Sequence, residues 1–335
     1  MRNRKLLNDF FCSYRGYLCL FLLLLCVFIA SLSLGSAKMS FVEFFNALAF
    51  KGRENTTILY NVRLPRILSG ILCGIGLSVS GVLLQSITDN ALASPSIIGV
   101  SSGGGLLVAI SLLLPTSMHL LFTPIFAFLG SFIATLSVIF ISRLAGNTKS
   151  SVILSGVAIN ALLNAFISLI TLLDSDILIS YNAFSIGSFV GVQYKNLIAP
   201  AALIGASLII CIIISKRIEL LCLGESTASA LGVNIKSLRI VCIILASVTA
   251  SSVISFAGLI GFIGLIVPHI ARLLCGHNIR SLFVCSAFLG GTVSLLADLV
   301  GRIAFMPSEL PVGITLAFVG VPFFIALLFK KRGQY

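Results

Sequence analysis

Several of the few charged residues of this sequence lie within apolar segments, where they could transfer protons or form ion pairs. Asp298 and Arg302 are four residues apart, which would bring them together on one face of a helix. A lone carboxylate in a membrane segment suggests proton coupling, but one with a cation a turn away is at least as consistent with a structural pair. Asp298, Glu309 or His269 could also take part in the proton relay of an ion-coupled secondary transporter. These interpretations remain open at this point.

Two arginines, Arg63 and Arg66, flank Pro65 at the start of an apolar segment. Proline suits the first turn of a helix, where its missing N–H is not needed. The orientation derived below places both arginines on the outer surface, against the usual bias of positive residues towards the cytoplasm. They therefore require an acidic partner, unless they only anchor the helix at the membrane interface by snorkelling.

A polar stretch over residues 85–105 is rich in Gly and Ser and includes Gln85, Asn90, Ser94 and Pro95. Polar backbone at membrane depth is tolerated where it is buried in protein or lines a wet cavity. The stretch therefore predicts part of a translocation pathway. The alternative is a simple inner loop followed by the start of a helix.

A second polar stretch, residues 223–233, lies in the longest predicted cytoplasmic connection, residues 216–237. Glu225 near a helix start and Gly232 at a helix end predict a short exposed helix. Its small residues, among them Ala228, would form an exposed face that suits docking into a groove of another protein.

Motifs for catalysis or metal binding are missing from the sequence. It contains no Gly-Lys dipeptide and so no phosphate-binding P-loop, which predicts that this chain is not itself an ATPase. It also lacks the H-E-x-x-H pattern of an intramembrane hydrolase. Its one G-x-S-x-G match, residues 99–103, follows no predicted strand, which the nucleophile elbow of a hydrolase requires. Its nine cysteines form no C-x-x-C pair and no cluster with histidine, so we expect neither a metal site nor a disulfide framework.

The elements that would position these residues follow from composition. Of 335 residues, 58% are hydrophobic and only 10% charged, which excludes a soluble globular domain. Apolar runs of about 20 residues are typical of membrane-spanning helices. We expect a single all-α transmembrane domain over residues 1–335 with a cytoplasmic tail at about 1–16. Its ten predicted spans are 17–34, 64–84, 96–114, 120–142, 152–173, 197–215, 238–258, 260–275, 281–303 and 311–329.

The distribution of Lys and Arg gives the orientation. With a cytoplasmic N-terminus, fifteen of the 22 basic residues fall on the inner side, so both termini are predicted to be cytoplasmic. The net charge of +12 is thereby explained by topology, without nucleic-acid binding. The basic residues on the outer side would be Lys38, Lys51, Arg53, Arg63, Arg66, Lys195 and Arg302.

Taken together, these stretches resemble the iron-siderophore and cobalamin permease family of ATP-binding-cassette importers over about residues 60–330. The resemblance implies a ten-helix bundle like that of a cobalamin-importer permease. The matching pieces are RLPR at 63–66, SGVLLQ at 80–85, NALASPSIIGVSSG at 90–103, LSGVAIN at 154–160, LGESTASALGV at 223–233, GLIGFIGLIVPHIARLL at 258–274, LLADLVGR at 295–302, ELPVGI at 309–314 and VGVPFF at 319–324.

The resemblance also implies partners: a second permease subunit (identical or a paralogue), two cytoplasmic ATPase subunits that bind ATP and Mg²⁺, and a periplasmic or lipid-anchored substrate-binding protein. This subunit itself would bind no cofactor. Its place would be the bacterial cytoplasmic membrane. Family arginines that pair with acidic residues of the binding protein correspond to Arg63, Arg66 and Arg302.

Two further groups of residues are implied in the same way. The helix that meets the ATPase corresponds to Gly224, Glu225, Ala228, Leu231 and Gly232. An inner gate corresponds, more loosely, to Thr148, Lys149, Ser150 and Ser151.

The sequence departs from the family pattern at two places. Ala91 stands where the family usually has proline, and Phe184 precedes Gly187 and Ser188 where the family usually has tryptophan. Neither change removes a charge. The neutral, small and polar pathway stretches fit a bulky chelate such as a ferric siderophore, and cobalamin and haem remain open as cargo.

Overall fold

The computed structural model describes residues 11, 13–35, 41–50, 53–276 and 278–332, and these form helices and connecting turns with no β-strand among them. A π-helical turn, Ile58–Arg63, leads directly into the helix that begins at Leu64, and a 3-10 turn, Pro95–Ile98, precedes the helix that begins at Val100. The helices are α1 (Tyr14–Ser33), α2 (Phe41–Leu48), α3 (Arg53–Thr57), α4 (Leu64–Thr88), α5 (Val100–Ser111), α6 (Thr116–Leu144), α7 (Lys149–Thr171), α8 (Ser175–Ile186), α9 (Tyr194–Cys222), α10 (Glu225–Ala230), α11 (Ile235–Ala257), α12 (Ile263–Cys275), α13 (Ile279–Ile303) and α14 (Val312–Arg332).

Each of the ten predicted apolar segments contains an α-helix, which confirms the all-α polytopic fold. Seven helices within the described part of the chain are long and apolar enough to cross a membrane: Tyr14–Ser33, Asn55–Thr88, Phe122–Leu144, Lys149–Thr171, Tyr194–Cys222, Ile235–Ala257 and Ile279–Ile303. Three shorter apolar helices complete the set, namely Val100–Ser111, Ile263–Cys275 and Val312–Ala326.

The centre of the bundle is formed by α4, α11 and α13, whose side chains are mostly buried, whereas α1, α7 and α9 lie at its periphery. Glycine allows the closest approach between α4 and α13. A Cβ added at Gly74 would overlap the carbonyl oxygen of Gly290, and a Cβ at Gly81 would overlap that of Gly264 on α12. Small residues are what permits such backbone contact where lipid supplies no hydrophobic drive between helices.

Two predicted spans are shorter than the sequence suggested. Residues 96–98 form the 3-10 turn and α5 begins only at Val100, while residues 258–262 are not helical and α12 begins only at Ile263. The backbone explains both late starts: Gly99, Gly258 and Phe262 all have positive φ angles, which a continuous helix cannot contain.

The N-terminal tail predicted at 1–16 lies for the most part outside the described residues.

Candidate functional site

At the N-terminal end of α4, charged residues from three parts of the chain form a buried cluster that we call the arginine cluster (Arg63, Arg66, Asp298, Arg302 and Glu309). Arg66 Nη2 lies 2.9 Å from Asp298 Oδ1, and Arg66 Nη1 lies 2.5 Å from Glu309 Oε2. On the other side of the same carboxylate, Arg302 Nε lies 3.0 Å from Asp298 Oδ2. The predicted pairing of Asp298 with Arg302 along one helical face is thus confirmed.

The remaining contacts of the arginine cluster fix the end of α1. Arg63 Nη1 donates to the carbonyl oxygen of Leu32 at 2.5 Å, and Arg302 Nη1 donates to that of Leu34 at 3.2 Å. The last carbonyl groups of a helix have no partner within the helix and carry its negative dipole end, so guanidinium groups suit them. The cluster therefore joins α1, α4, α13 and the loop before α14.

The burial and pairing of Arg63, Arg66 and Arg302 affect the prediction that they pair with acidic residues of a binding protein. All three residues are almost fully buried, with 4%, 8% and 2% of their surfaces exposed, and carboxylates of the same chain already pair with Arg66. The snorkelling alternative is wrong for Arg66, because its guanidinium group is held by Asp298 and Glu309. Docking of a binding protein to these arginines stays a prediction.

The opposite end of α4 lies about 35 Å away along the helix. Here the sequence predicted a short helix in the connection 216–237, and α10 is that helix. Gly224, with φ of 116°, precedes it, and Gly232, with φ of 81°, follows it, so the two glycines provide the backbone turns that bound the helix.

One part of the prediction for α10 is wrong. Ala228 is fully buried against the body of the protein rather than lying on an exposed small-residue face. Leu231 and Leu223, which are 59% and 66% exposed, project outward instead. Sequence could not assign the faces of α10, because a helix of six residues is too short to show a periodic pattern.

The residues of the predicted gate form the start of α7. Thr148 and Ser151 make a reciprocal capping box, with Ser151 N to Thr148 Oγ1 at 3.1 Å and Thr148 N to Ser151 Oγ at 2.8 Å. Lys149 Nζ lies 3.3 Å from Asp89 Oδ2 at the end of α4, and Ser150 is exposed. The structure thus places these residues at a helix start beside the 89–98 loop.

Gln85 and Asn90 have local roles within the chain. Gln85 is 2% exposed and its Nε2 donates to the carbonyl oxygens of Gly264 and Leu265, each at 3.3 Å. The Asn90 side chain accepts from the Leu92 backbone N–H at 3.0 Å and so stabilises its own turn. Neither residue lines the cavities described next.

Two adjoining cavities of about 210 and 330 Å³ lie beside the non-helical segments that precede the two late-starting helices. Ser94 and Pro95 line the smaller one, together with the non-helical residues 259–262. The predicted polar stretch and the non-helical lead into α12 therefore border one cavity. Irregular backbone that lines a cavity between membrane helices is the arrangement found at transporter binding sites.

Sequence reasoning missed the residues that α7 contributes to this region. Asn160 and Asn164 line the larger cavity, and with Ser168 and Thr171 they follow one face of α7, which we call the polar stripe. Asn160 also joins α7 to the polar stretch, since its Nδ2 donates to the Ser96 carbonyl oxygen at 2.8 Å. The signal was available: polar residues recur at 160, 164, 168 and 171, a helical spacing, in an otherwise apolar segment.

No group of three or more potential metal ligands occurs among the described residues, and the eight cysteines within them are all free. This part of the chain offers no resident metal centre and no disulfide. The chemistry available at the cavities is therefore hydrogen bonding by neutral amide, hydroxyl and backbone groups.

Comparison with known proteins gives matches over nearly the whole chain. Residues 22–330 match the FecCD transport family. The chain is 33% identical over 326 residues to the hemin transport system permease protein HmuU of Yersinia pestis, covering 94% of this chain and 96% of that protein. It is 34% identical to the Fe(3+)-citrate import system permease protein YfmD of Bacillus subtilis, with the same coverage of both chains.

A solved structure, described as an inward-facing conformation of a metal-chelate type ABC transporter, has the same fold. Its TM-score with this chain is 0.83 at 30% sequence identity, and the alignment covers 95% of this chain and all of that one. The iron(3+)-hydroxamate import system permease protein FhuG of Bacillus subtilis is a further relative, 33% identical over 93% of this chain and 96% of that protein.

Proposed function

The chain belongs to the FecCD transport family, and from this premise we propose that it is the membrane-spanning permease of a binding-protein-dependent ATP-binding-cassette importer that carries a ferric chelate. The observation that carries this proposal is the match over residues 22–330 together with permease relatives for ferric citrate and ferric hydroxamate. The two cavities are lined by uncharged residues, mostly apolar with a few hydroxyl, amide and backbone groups, which agrees with a chelate whose ligand encloses the metal. A naked ferric ion would require charged oxygen ligands.

The polar stripe of α7 supports a pathway shared between two permease subunits. Asn164 and Ser168 are exposed on a helix that is apolar enough to span a membrane. Amide groups facing lipid hydrocarbon would lose their hydrogen bonds to water, which costs several kcal/mol for each unsatisfied group. A wet pathway beside a second permease subunit removes that cost, and the second subunit is either a copy of this chain or a paralogue.

The energy source is proposed to lie on other polypeptides. The sequence has no P-loop, so two cytoplasmic ATPase subunits would bind ATP and Mg²⁺, and this chain would bind no cofactor of its own. Exposed Leu223 and Leu231 beside α10 offer the apolar contacts that an ATPase groove would cover. We therefore call α10 the coupling helix.

The arginine cluster is the proposed docking site for the substrate-binding protein. Within the described part of the chain, Nη2 of Arg302 has no hydrogen-bond partner, but it is buried, so a docking protein would reach this donor only after the cluster opens. The resemblance supports this proposal, since family arginines that pair with acidic residues of the binding protein correspond to Arg63, Arg66 and Arg302. This end of the bundle would face outward and both chain termini would be cytoplasmic, in a bacterial cytoplasmic membrane.

Haem is a second candidate cargo, because the hemin permease HmuU is as similar to this chain as the permeases for ferric chelates are. Cobalamin is a third candidate cargo. The decisive cargo assay compares a ferric hydroxamate, ferric citrate, haem and cobalamin in one preparation.

Reconstitution tests the proposed function. The chain is inserted into lipid vesicles with its ATPase and binding-protein partners, and the uptake of labelled cargo is followed. We expect uptake that requires all components and ATP and that persists when the proton gradient is collapsed. Uptake by the chain alone, or uptake driven by a proton gradient without ATP, would contradict the proposal.

A further inference from the structure

Arg239 is a buried arginine in the first turns of α11, next to the coupling helix, and only 2% of it is exposed. Its two terminal nitrogens bind different parts of the chain. Nη2 lies 2.8 Å from Glu225 Oε1 at the start of α10, and Nη1 donates to the carbonyl oxygen of Asn147. The guanidinium group therefore holds the coupling helix and the turn between α6 and α7 at once.

The turn that Arg239 binds is specified by its backbone. Gly146 and Asn147 both have positive φ angles, 92° and 54°, and Asn147 N donates back to the Ser142 carbonyl oxygen at 2.7 Å. Asparagine tolerates this left-handed conformation better than most residues. The outcome is that the Asn147 carbonyl group points at α11, where it accepts the hydrogen bond from Arg239.

The same turn starts the helix that carries the polar stripe. Thr148, directly after Asn147, caps α7 through the reciprocal bonds with Ser151, and Ser151 Oγ also contacts Ser142 Oγ at 2.9 Å. The turn is thus fastened to α6 and to α7 by short hydrogen bonds. A displacement of the turn must move the N-terminal end of α7.

Both contacts depend on the shape of arginine. Its planar group presents donors in a fixed fork, whereas lysine is a point charge on a flexible stem that could not hold two groups in a set geometry. A buried cation is costly unless it is paired and hydrogen-bonded, and these contacts offset that cost. An arginine placed only for solubility or topology would remain exposed.

We propose that Arg239 is a positioning residue that joins the coupling helix to the turn before α7, so that movement of α10 reaches the polar stripe of the pathway. This inference rests on the proposed function, because it assumes that an ATPase moves α10. The covalent route from α10 leads into α9 and α11, and Arg239 adds a cross-connection to α7.

The experiment uses the reconstituted transporter with its ATPase and binding protein. Arg239→Gln removes both the ion pair with Glu225 and the forked guanidinium group. Arg239→Lys keeps the positive charge but loses the forked arrangement of donors. Glu225→Gln removes only the negative charge that pairs with Arg239. Lys236→Gln is the matched control, since Lys236 is an exposed basic residue on the same helix. It lines a cavity of about 510 Å³ that Arg239 and Glu225 also line. Cargo transported for each ATP hydrolysed is the first readout.

Probe mobility is the second readout and separates positioning from a merely structural role. In a background without native cysteines, one spin label is placed at exposed Ser226 on α10 and another at exposed Val157 beside the polar stripe on α7. In the wild-type complex, ATP should shift both labels. In Arg239→Gln, the label on α10 should still respond to ATP while the response at position 157 is lost.

We expect Arg239→Gln to lower transport for each ATP hydrolysed by between about twofold and thirtyfold, with smaller losses in Arg239→Lys and Glu225→Gln and none in Lys236→Gln. Wild-type coupling and a wild-type response at position 157 in an assembled Arg239→Gln complex would overturn the inference. If Arg239→Gln fails to assemble, the other two variants decide, and full coupling in both overturns it. Uptake by the wild-type complex in the same vesicles tests the proposed function separately.

Discussion

Arg66 and Asp298 are 232 residues apart in the sequence, yet their side chains meet in a buried ion pair with Nη2 and Oδ1 2.9 Å apart. Arg66 Nε also donates to both carboxylate oxygens, at 3.0 and 3.2 Å. The pair joins α4 to α13 at the end of the bundle where Arg63 and Arg302 bind the last carbonyl groups of α1. The arginine cluster is therefore a structural junction as well as the proposed docking site.

Removal of the Asp298 carboxylate should destabilise the protein strongly. Asp298→Ala would leave Arg66 and Arg302 buried with one carboxylate between them, and breaking a buried ion pair from one side costs about 3–5 kcal/mol. The measurement is the thermal or denaturant unfolding midpoint of the purified protein in detergent. Asp176→Ala, at an exposed carboxylate in α8, should change stability by less than about 0.5 kcal/mol, and equal midpoints for the two variants would contradict the prediction.

Gly74→Ala should disturb the contact between α4 and α13. The added Cβ would overlap the Gly290 carbonyl oxygen, so the two backbones must separate, at a cost of about 1–3 kcal/mol or more. The control is Gly205→Ala in α9, where a new Cβ meets nothing within 4 Å and alanine is the better helix former. The unfolding midpoint of each variant tests this directly. A lowered midpoint for Gly205→Ala together with an unchanged midpoint for Gly74→Ala would refute the close backbone contact between Gly74 and Gly290.

Charge reversal of Arg63 should weaken docking of the substrate-binding protein. Arg63→Glu replaces a guanidinium group with a carboxylate that would repel the acidic partner, and we expect an affinity loss of about tenfold or more. Affinity is measured by titrating the binding protein onto the permease in detergent. Lys195→Glu is the control because Lys195 is an exposed cation outside the arginine cluster.

Because Arg63 also holds the end of α1, each charge-reversed variant is compared only after its unfolding midpoint has been measured. A folded Arg63→Glu protein that binds with unchanged affinity would remove Arg63 from the docking site.

The exposed side of the coupling helix should be sensitive to charge. Leu231→Asp places a carboxylate in the apolar contact proposed for the ATPase and should lower ATPase association by about tenfold. Co-purification of the ATPase with the permease measures this loss. Leu173→Asp, at a similarly exposed leucine in the turn between α7 and α8, is the control and should leave association unchanged. Normal association of Leu231→Asp would show that α10 does not meet the ATPase through this residue.

The orientation predicts which turns face the cytoplasm. A reporter enzyme that works only outside the cytoplasm should be active when it is fused after Leu173 and inactive when it is fused after Gly232. A reporter that works only in the cytoplasm should give the reverse result. The predicted cytoplasmic connection begins at Lys216, but Lys216 lies within α9, so a fusion in the turn that follows α10 avoids interrupting a helix. Opposite activities of the two reporters would invert the topology.

Several features of this protein follow from the sequence by itself. The ten apolar segments, the absence of a P-loop and the family resemblance depend on composition and on contiguous motifs, and the structure and comparisons confirm the fold and the family. The pairing of Asp298 with Arg302 was also predictable, because both residues lie on one helix and the spacing alone brings them together. The short helix α10 was predictable from Glu225 near its start and Gly232 at its end.

The tertiary structure alone decided how the helices turn towards one another. The sequence did not indicate that Arg66 pairs with Asp298 or that Ala228 faces inward. It also did not indicate that Gln85 packs against α12, or that Asn160 and Asn164 line a cavity. The reason is physical: lipid is as apolar as the protein interior, so hydrophobicity does not distinguish the buried face of a membrane helix from its lipid-facing side. The rotation of each helix, and with it the set of residues that meet, is fixed only when the helices pack.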